Sequence, residues 1–156
     1  MHYFEDVEIG ERVSLGSFSF TAETIIAFAR QFDPQPFHLS EEGGRSSLFG
    51  GLAASGWQTA SVWMKMWVEH TRRQIAAGKA PANAMGPSPG FHDLKWLKPV
   101  LAGDTISYTA VTGKKRPLAS KPEWGLVSGI GEGFNQRDEA VFSFTYHVFV
   151  RRRPPV

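Results

Sequence analysis

The chain of 156 residues carries a formal net charge of +2, with 42% hydrophobic and 21% charged residues. These proportions are ordinary for a globular protein and exclude a disordered or collagen-like chain, and the length predicts one domain over residues 1–156. Cysteine is absent, which excludes disulfides, thiolate metal sites and thiol nucleophiles.

The first half of the sequence predicts a strand followed by two helices. Alternating apolar residues predict a strand over 12–20, and Thr21, as an N-cap before an apolar helical stripe, predicts a helix over 22–31. Asp33-Pro34-Gln35-Pro36 ends this helix, because a residue that precedes proline disfavours the α region. A second helix is predicted from Ser55 to about Arg72. Few charges interrupt its first three turns, so we expect other elements to wrap around it.

The second half predicts a loop and then strands. Residues 76–90 are rich in Ala, Gly and Pro and predict a long loop. Apolar patterns predict strands over 94–100, 105–110, 126–134 and 140–150, with a Lys- and Pro-rich loop over 113–123. We therefore predict an α+β fold in which an antiparallel sheet is wrapped around the long central helix.

Two short motifs in this half could suggest binding sites, but neither is interpreted as one. The glycines of Gly129-Ile130-Gly131-Glu132-Gly133 are spaced much as in a phosphate loop, yet no helix follows them. We interpret them as glycines of a strand bulge or twist. His92-Asp93 lacks a second pair of ligands at metal spacing, so no metal site is predicted.

The charges are unevenly distributed, with a net −3 in residues 1–78 and +5 in residues 79–156. Part of this excess lies in two clusters, 114–116 and 151–153. They are interpreted either as a solvated loop and tail or as a landing site for a polyanionic group such as a nucleotide phosphate. No basic helix or nucleic-acid motif accompanies them, so no nucleic-acid partner is expected.

No segment of the sequence is typical of export or of membrane insertion. The amino terminus carries acidic residues where a signal peptide would carry a basic region and then an apolar run. The apolar stretch over 52–68 is interrupted by polar residues, including Lys65, and is too polar for a membrane span. We therefore expect a soluble, cytoplasmic protein with no membrane partner.

The most informative segment for chemistry is Asp33-Pro34-Gln35-Pro36-Phe37-His38. Asp33 and His38 would stand as much as about 17 Å apart in an extended chain, so an acid–base pair requires this loop to fold back. Two prolines would hold such a loop stiffly. A carboxylate and an imidazole within reach of one water molecule can deprotonate it and return the proton. The alternative is a plain turn with a surface histidine.

A second feature lies about 18 residues further on. The Gly56 amide belongs to the first turn of the long helix, where unpaired N–H groups and the positive end of the dipole stabilise a developing oxyanion. Ser55 is interpreted as the N-cap of this helix.

Three passages, in this order, resemble the MaoC-like, hotdog-fold hydratases, which include the (R)-specific enoyl-CoA hydratases. The family signature Asp-x-Asn-Pro-x-His is similar to residues 33–38. The Phe-Gly and Ala-(His or Ser)-Gly that follow are similar to Phe49-Gly50 and Ala54-Ser55-Gly56. The Trp-x-x-Pro-Val-x-x-Gly-Asp passage is similar to residues 96–104. The resemblance covers nearly the whole chain.

The resemblance implies a hotdog fold, a homodimer or larger dimer-based oligomer, and an acyl thioester of coenzyme A or acyl carrier protein as substrate. Asp33 and His38 would hold and activate water, and the Gly56 N–H would bind the thioester oxygen. Water would add reversibly across a 2-enoyl thioester, with no metal or other cofactor. We expect Phe37, Ser55 and Trp57 to contact the substrate.

Two residues depart from the family pattern, and both bear on the substrate more than on the fold. Gln35 replaces the usual Asn, and Ser55 replaces the His that is common in the enoyl-CoA hydratases. The aromatic residues Trp57, Trp63 and Trp67 would either shorten an acyl tunnel or pack in the core. Two other functions stay open: a hotdog thioesterase and a non-catalytic subunit that binds acyl thioesters.

Overall fold

Five antiparallel strands form one sheet in the computed structural model, which describes residues 3–155. The sheet order is β1-β3-β4-β5-β2. After a single 3-10 turn at Phe4–Asp6, the elements are β1 (Arg12–Ser19), α1 (Ala22–Phe32), α2 (Pro36–Leu39), α3 (Glu41–Arg45), α4 (Gly56–Ala76), β2 (Phe91–Trp96), β3 (Thr105–Pro117), β4 (Trp124–Phe134) and β5 (Ala140–Arg151). The predicted α+β fold with a sheet around the long helix is confirmed.

Helix α4 packs its aromatic residues against the inner face of the sheet. Trp63 and Trp67 are 2% and 5% exposed. The Trp63 ring lies 4.7 Å from that of Phe144 and 5.5 Å from that of Tyr146, and its Nε1–H donates to the carbonyl of Thr109 at 2.9 Å. Burial of each such ring stabilises the fold by roughly 1.5–3 kcal/mol or more. These two tryptophans therefore belong to the core.

The alternating glycines of β4 leave room for those rings. A Cβ at Gly131 would lie 2.2 Å from the Phe144 ring and 2.7 Å from that of Trp63, and a Cβ at Gly129 would lie 2.5 Å from the Tyr146 hydroxyl. Gly129 and Gly131 pair with Tyr146 and Phe144 across the β4–β5 ladder. The glycines thus lie inside a strand, as expected. Register shifts occur opposite Gly129 and next to Gly133, and Gly129 and Gly131 also provide the space that the rings need.

Strand β3 is longer than predicted. The predicted loop over 113–123 is wrong for its first half, because residues 114–117 continue the pairing with β4 after a bulge at Gly113. Lys115 is held there, since its Nζ donates to the carbonyls of Phe4 (3.0 Å), Glu5 (3.0 Å) and Val7 (2.7 Å). Composition typical of a loop is outweighed here by ladder hydrogen bonds and this tether.

Strand β2 also differs from its predicted bounds. It begins at Phe91 and ends at Trp96, earlier than the predicted 94–100.

The basic cluster near the end of the chain forms ion pairs with acidic residues near its start. Arg152 pairs with Glu5 at 3.0 Å and Arg153 pairs with Asp6. Within residues 3–155, none of the helices combines the length and the hydrophobicity that a membrane span requires.

Candidate active site

The segment after α1 folds back into a tight turn that brings Asp33 and His38 together. The Gln35 N–H donates to the Asp33 carbonyl at 2.8 Å, and the His38 N–H donates to the Gln35 carbonyl at 2.9 Å. Pro36 then begins the short helix α2, where its fixed φ suits the first turn. As a result His38 Nε2 lies 3.2 Å from Asp33 Oδ2. His38 is only 4% exposed, which is not the surface histidine of the alternative interpretation.

A single backbone carbonyl fixes the orientation of the His38 ring. Nδ1 lies 2.7 Å from the carbonyl oxygen of Ala53. Because a carbonyl only accepts hydrogen bonds, Nδ1 carries the proton and donates it. The Phe37 ring packs edge-on against the imidazole at 4.6 Å, and the Phe49 ring stacks at 6.1 Å. Nε2 is therefore the nitrogen that faces Asp33 and is placed to exchange a proton.

Both carboxylate oxygens of Asp33 accept hydrogen bonds from side chains. Ser55 Oγ–H donates to Oδ2 at 2.7 Å, and Gln35 Nε2–H donates to Oδ1 at 2.7 Å. Burial of Asp33 disfavours its charged form, but these two hydrogen bonds and the nearby His38 outweigh burial and lower the pKa of the carboxyl. Asp33 is therefore an ionised acceptor at neutral pH.

The first residue of α4, Gly56, lies in the same region. Ser55 caps the helix, accepting the Trp57 N–H at 3.3 Å. Within residues 3–155 the Gly56 N–H has no hydrogen-bond acceptor. A Cβ at residue 56 would lie 2.2 Å from the Trp96 ring. Only glycine leaves space for this ring beside the exposed amide, and the amide together with the helix dipole favours a negatively charged oxygen there.

An open cleft of about 520 Å³ connects these groups. Asp33, Gln35, His38 and Gly56 lie on its polar side, and its apolar walls include Phe37, Phe49, Trp57, Trp96, Leu97 and Val141. The Trp57 and Trp96 rings, which both line the cleft, meet edge to face, 5.3 Å apart. An apolar cleft with a few convergent polar groups is the usual form of a small-molecule site.

The structure places the six residues named from the sequence in two groups. Asp33, Phe37, His38, Gly56 and Trp57 line the cleft. Ser55 is fully buried, at 0% exposed, so it contacts Asp33 and the α4 backbone from behind the cleft wall. The described residues contain no group of three or more His, Asp or Glu side chains arranged to hold a metal ion.

Three groups contribute to this site although the sequence predicted no role for them: Gln35, the Ala53 carbonyl and Trp96. Gln35 was noted only as a departure, although its amide holds Asp33. The Ala53 carbonyl carries no side-chain signal at all. Trp96 stands in the third passage of the resemblance, and that passage was the available signal for its place beside Gly56.

Comparisons with known proteins identify relatives of this chain. The sequence profile of the MaoC like domain matches residues 6–124. Over 150 residues, the chain is 27% identical to the uncharacterized protein YdeM of Bacillus subtilis, covering 95% of this chain and 98% of YdeM. A segment of 65 residues is 40% identical to mesaconyl-CoA hydratase of Cereibacter sphaeroides, covering 41% of this chain and 18% of that enzyme.

Solved structures match more of the fold. The crystal structure of a MaoC-like dehydratase from Rhodospirillum rubrum has a TM-score of 0.84 and 37% identity, and the match covers 99% of this chain and 100% of that one. A Mycobacterium tuberculosis protein described as a double hotdog fold has a TM-score of 0.74 and 16% identity, covering 99% of this chain and 45% of that one. The expected hotdog fold is confirmed.

Proposed function

The chain belongs to the MaoC-like domain family, and from this membership and the geometry of its cleft we propose that it is an acyl-thioester hydratase or dehydratase. Its reaction would be the reversible addition of water across the double bond of a 2-enoyl thioester. The observation that carries the proposal is the convergence of Asp33, His38 and the free Gly56 amide on one apolar cleft. The named activities of the mesaconyl-CoA hydratase and of the Rhodospirillum rubrum dehydratase support the same chemistry.

The proposed step assigns a different task to each group. A water molecule that donates hydrogen bonds to both Asp33 Oδ2 and His38 Nε2, which are 3.2 Å apart, attacks C3 of the enoyl group and gives one proton to Nε2. The electron pair of the double bond moves toward the thioester oxygen, where the Gly56 N–H stabilises the charge. Nε2 then returns the proton to C2, so H and OH have been added and the enzyme is restored.

Asp33 orients the water and does not carry the proton. Two side-chain donors and the lowered pKa of its carboxyl keep it ionised. His38, whose Nδ1 is already committed to Ala53, has only Nε2 available for proton transfer. General acid–base catalysis by such a group contributes typically about 10²–10⁴-fold to the rate.

The substrate in this proposal is a thioester of coenzyme A or acyl carrier protein, and Phe37 and Trp57 contact its acyl part. Ser55 is proposed to act through Asp33. The protein is proposed to work in the cytoplasm as a homodimer or larger dimer-based oligomer, which light scattering after size-exclusion chromatography would test.

The test is hydration of crotonyl-CoA and longer 2-enoyl-CoA thioesters, followed by loss of the enoyl thioester absorbance. We expect turnover by the natural protein and a loss of about 10²-fold or more in His38→Gln and Asp33→Asn. Release of free thiol, measured in the same reactions, would indicate a thioesterase instead. No turnover of any enoyl thioester, together with tight binding, would indicate a non-catalytic binding subunit and overturn the proposal.

A further inference from the structure

A second group of polar side chains crosses the outer face of the sheet, away from the cleft. Tyr146 faces α4, as its ring contact with Trp63 shows. Neighbouring residues of a strand point to opposite faces, so His147 lies on the outer face. Ser128 pairs with His147 on one side and with Lys114 on the other. Lys114, Ser128 and His147 therefore form one row across β3, β4 and β5.

Hydrogen bonds extend this row to the edge strand. Ser128 Oγ lies 2.6 Å from His147 Nδ1, and His147 Nε2 lies 2.9 Å from His92 Nδ1. A bulge between His92 and Lys95 interrupts the β2–β5 pairing, and Asp93 within it has a φ of 53°. Backbone of this kind is uncommon outside glycine and often re-aims a side chain at a functional position. It places Asp93 Oδ2 3.7 Å from His92 Nε2.

Two cations beside this row of polar side chains have no counter-ion among the residues that the structure describes. Lys114 and Arg116 are exposed and line a cavity of about 240 Å³ together with Lys115, Leu126, Ser128 and His147. Within residues 3–155 neither cationic side chain has an ion pair or a hydrogen bond. Lys115, between them, points its charge the other way, toward carbonyls near the amino terminus. The cavity is therefore positively charged and has a buried hydroxyl, since Ser128 is only 4% exposed.

We propose that this outer-face cavity binds a phosphate or sulfate group, with Lys114 and Arg116 supplying the charge and Ser128 supplying a hydroxyl that is held in place by His147. Tetrahedral oxyanions suit this set, because several donors can reach separate oxygens at once. The cavity lies on the opposite face from α4, so the inference stands whether or not the proposed hydration is found.

Binding should be coupled to the protonation of His147. Burial, then His92 and Lys114, lower the pKa of His147, so the ring is neutral at neutral pH and can accept the Ser128 O–H at Nδ1. When the ring is protonated, Nδ1–H donates to Ser128 Oγ instead, and the hydroxyl proton becomes free for an anion. A bound anion favours the charged ring and raises its pKa. Affinity should therefore increase as the pH falls.

The experiment is an NMR titration of the imidazole signals of the full chain with sodium sulfate at constant ionic strength, at pH 6 and pH 8. Sulfate keeps its charge over this range, so the pH effect reports on the protein. We expect a saturable shift of the His147 signals and tighter binding at pH 6. The signals are identified with His147→Gln and His92→Gln.

Two double variants distinguish sulfate binding in the cavity from nonspecific attraction of sulfate by the positive charge of the protein. Lys114→Ser with Arg116→Ser should weaken sulfate binding about tenfold or more, because charge-assisted hydrogen bonds are lost. Arg72→Ser with Lys121→Ser removes the same charge from exposed positions elsewhere and should leave binding unchanged. Shifts that never saturate, or that persist in the first double variant, would overturn the proposal.

Inorganic phosphate and adenosine 3′,5′-bisphosphate distinguish the sources of the anion. Tighter binding of the bisphosphate would indicate the phosphate-bearing end of a nucleotide such as coenzyme A. Equal binding of the two would indicate a free oxyanion. Both results support an oxyanion site, and binding of neither would refute it.

Discussion

The hydrogen bond from Ser55 to Asp33 is the contact at which the proposed catalysis can be tested most sharply. Ser55→Ala removes the O–H that donates to Asp33 Oδ2 at 2.7 Å. A hydrogen bond to a charged group is worth about 1.5–3 kcal/mol. If this stabilisation orients Asp33 for the water in the transition state, kcat should fall roughly tenfold to a hundredfold, since about 1.4 kcal/mol corresponds to a factor of ten.

The same substitution should change the pH profile. Burial raises the pKa of the Asp33 carboxyl, and the Ser55 and Gln35 hydrogen bonds are the main effects that lower it. Without Ser55 the pKa rises, so Asp33 becomes protonated at a higher pH. In the proposed hydration both Asp33 and His38 Nε2 must be deprotonated, so both protonations contribute to the acidic limb of the kcat/KM profile. In Ser55→Ala the part of this limb that is due to Asp33 should move to higher pH.

A control variant at the N-cap of another helix distinguishes this change in the pH profile from a loss of helix stability. Ser55 also caps α4, so its removal should lower the free energy of unfolding by about 1 kcal/mol. Thr21 caps α1 in the same way, accepting the Thr24 N–H at 3.2 Å. Thr21→Ala should cost similar stability in urea titrations and leave the pH profile unchanged. A Ser55→Ala protein whose profile superposes on that of the natural protein, at full kcat, would refute the reasoning.

Three further outcomes are expected. Gly56→Ala would place a Cβ 2.2 Å from the Trp96 ring, so the hydration rate should fall at least about tenfold. Replacement of Trp96 by Ala in the same chain should restore part of the rate. An unchanged rate in Gly56→Ala would contradict the role given to the Gly56 amide. Gly131→Ala should lower the free energy of unfolding by about 1–3 kcal/mol in urea through overpacking. Hydrogen bonds, first from Lys98, lower the pKa of Glu139 from 4.5 to about 2. Its contribution to stability is therefore present above pH 4.5 and lost as the pH falls toward 2, and Glu139→Gln should flatten the change in urea midpoint over that range.

The fold class and much of the cleft could be predicted from the sequence because the patterns that indicate them involve residues close together in the chain. Proline and glycine spacing near Asp33 and Gly56 reports on turns and on a helix start within a few residues. The extension of β3 was missed since its cause is distant in sequence: Lys115 reaches carbonyls near residue 5, and the strand continues only because β4 lies beside it. The short helices α2 and α3 were not predicted, because neither is long enough to show helical periodicity.

The role of Ser55 could not be read from periodicity either, because its partner Asp33 lies 22 positions away. A serine before a helical glycine predicts a cap, and the cap is present. Its second hydrogen bond exists only because the turn after α1 folds back against the start of α4. A contact between two segments that are distant in sequence can be recognised only when the positions of both in the structure are known.

The two departures from the family signature meet on one carboxylate and are better understood as one feature. Gln35 donates to Oδ1 of Asp33 and Ser55 donates to Oδ2. The longer side chain of Gln35, compared with the usual Asn, bends back two residues along the chain to reach its oxygen. The small side chain of Ser55 fits a position with no exposed surface, where a histidine would have to displace its neighbours. Together they hold Asp33 ionised and fixed, which in the proposed reaction leaves proton transfer to His38 alone.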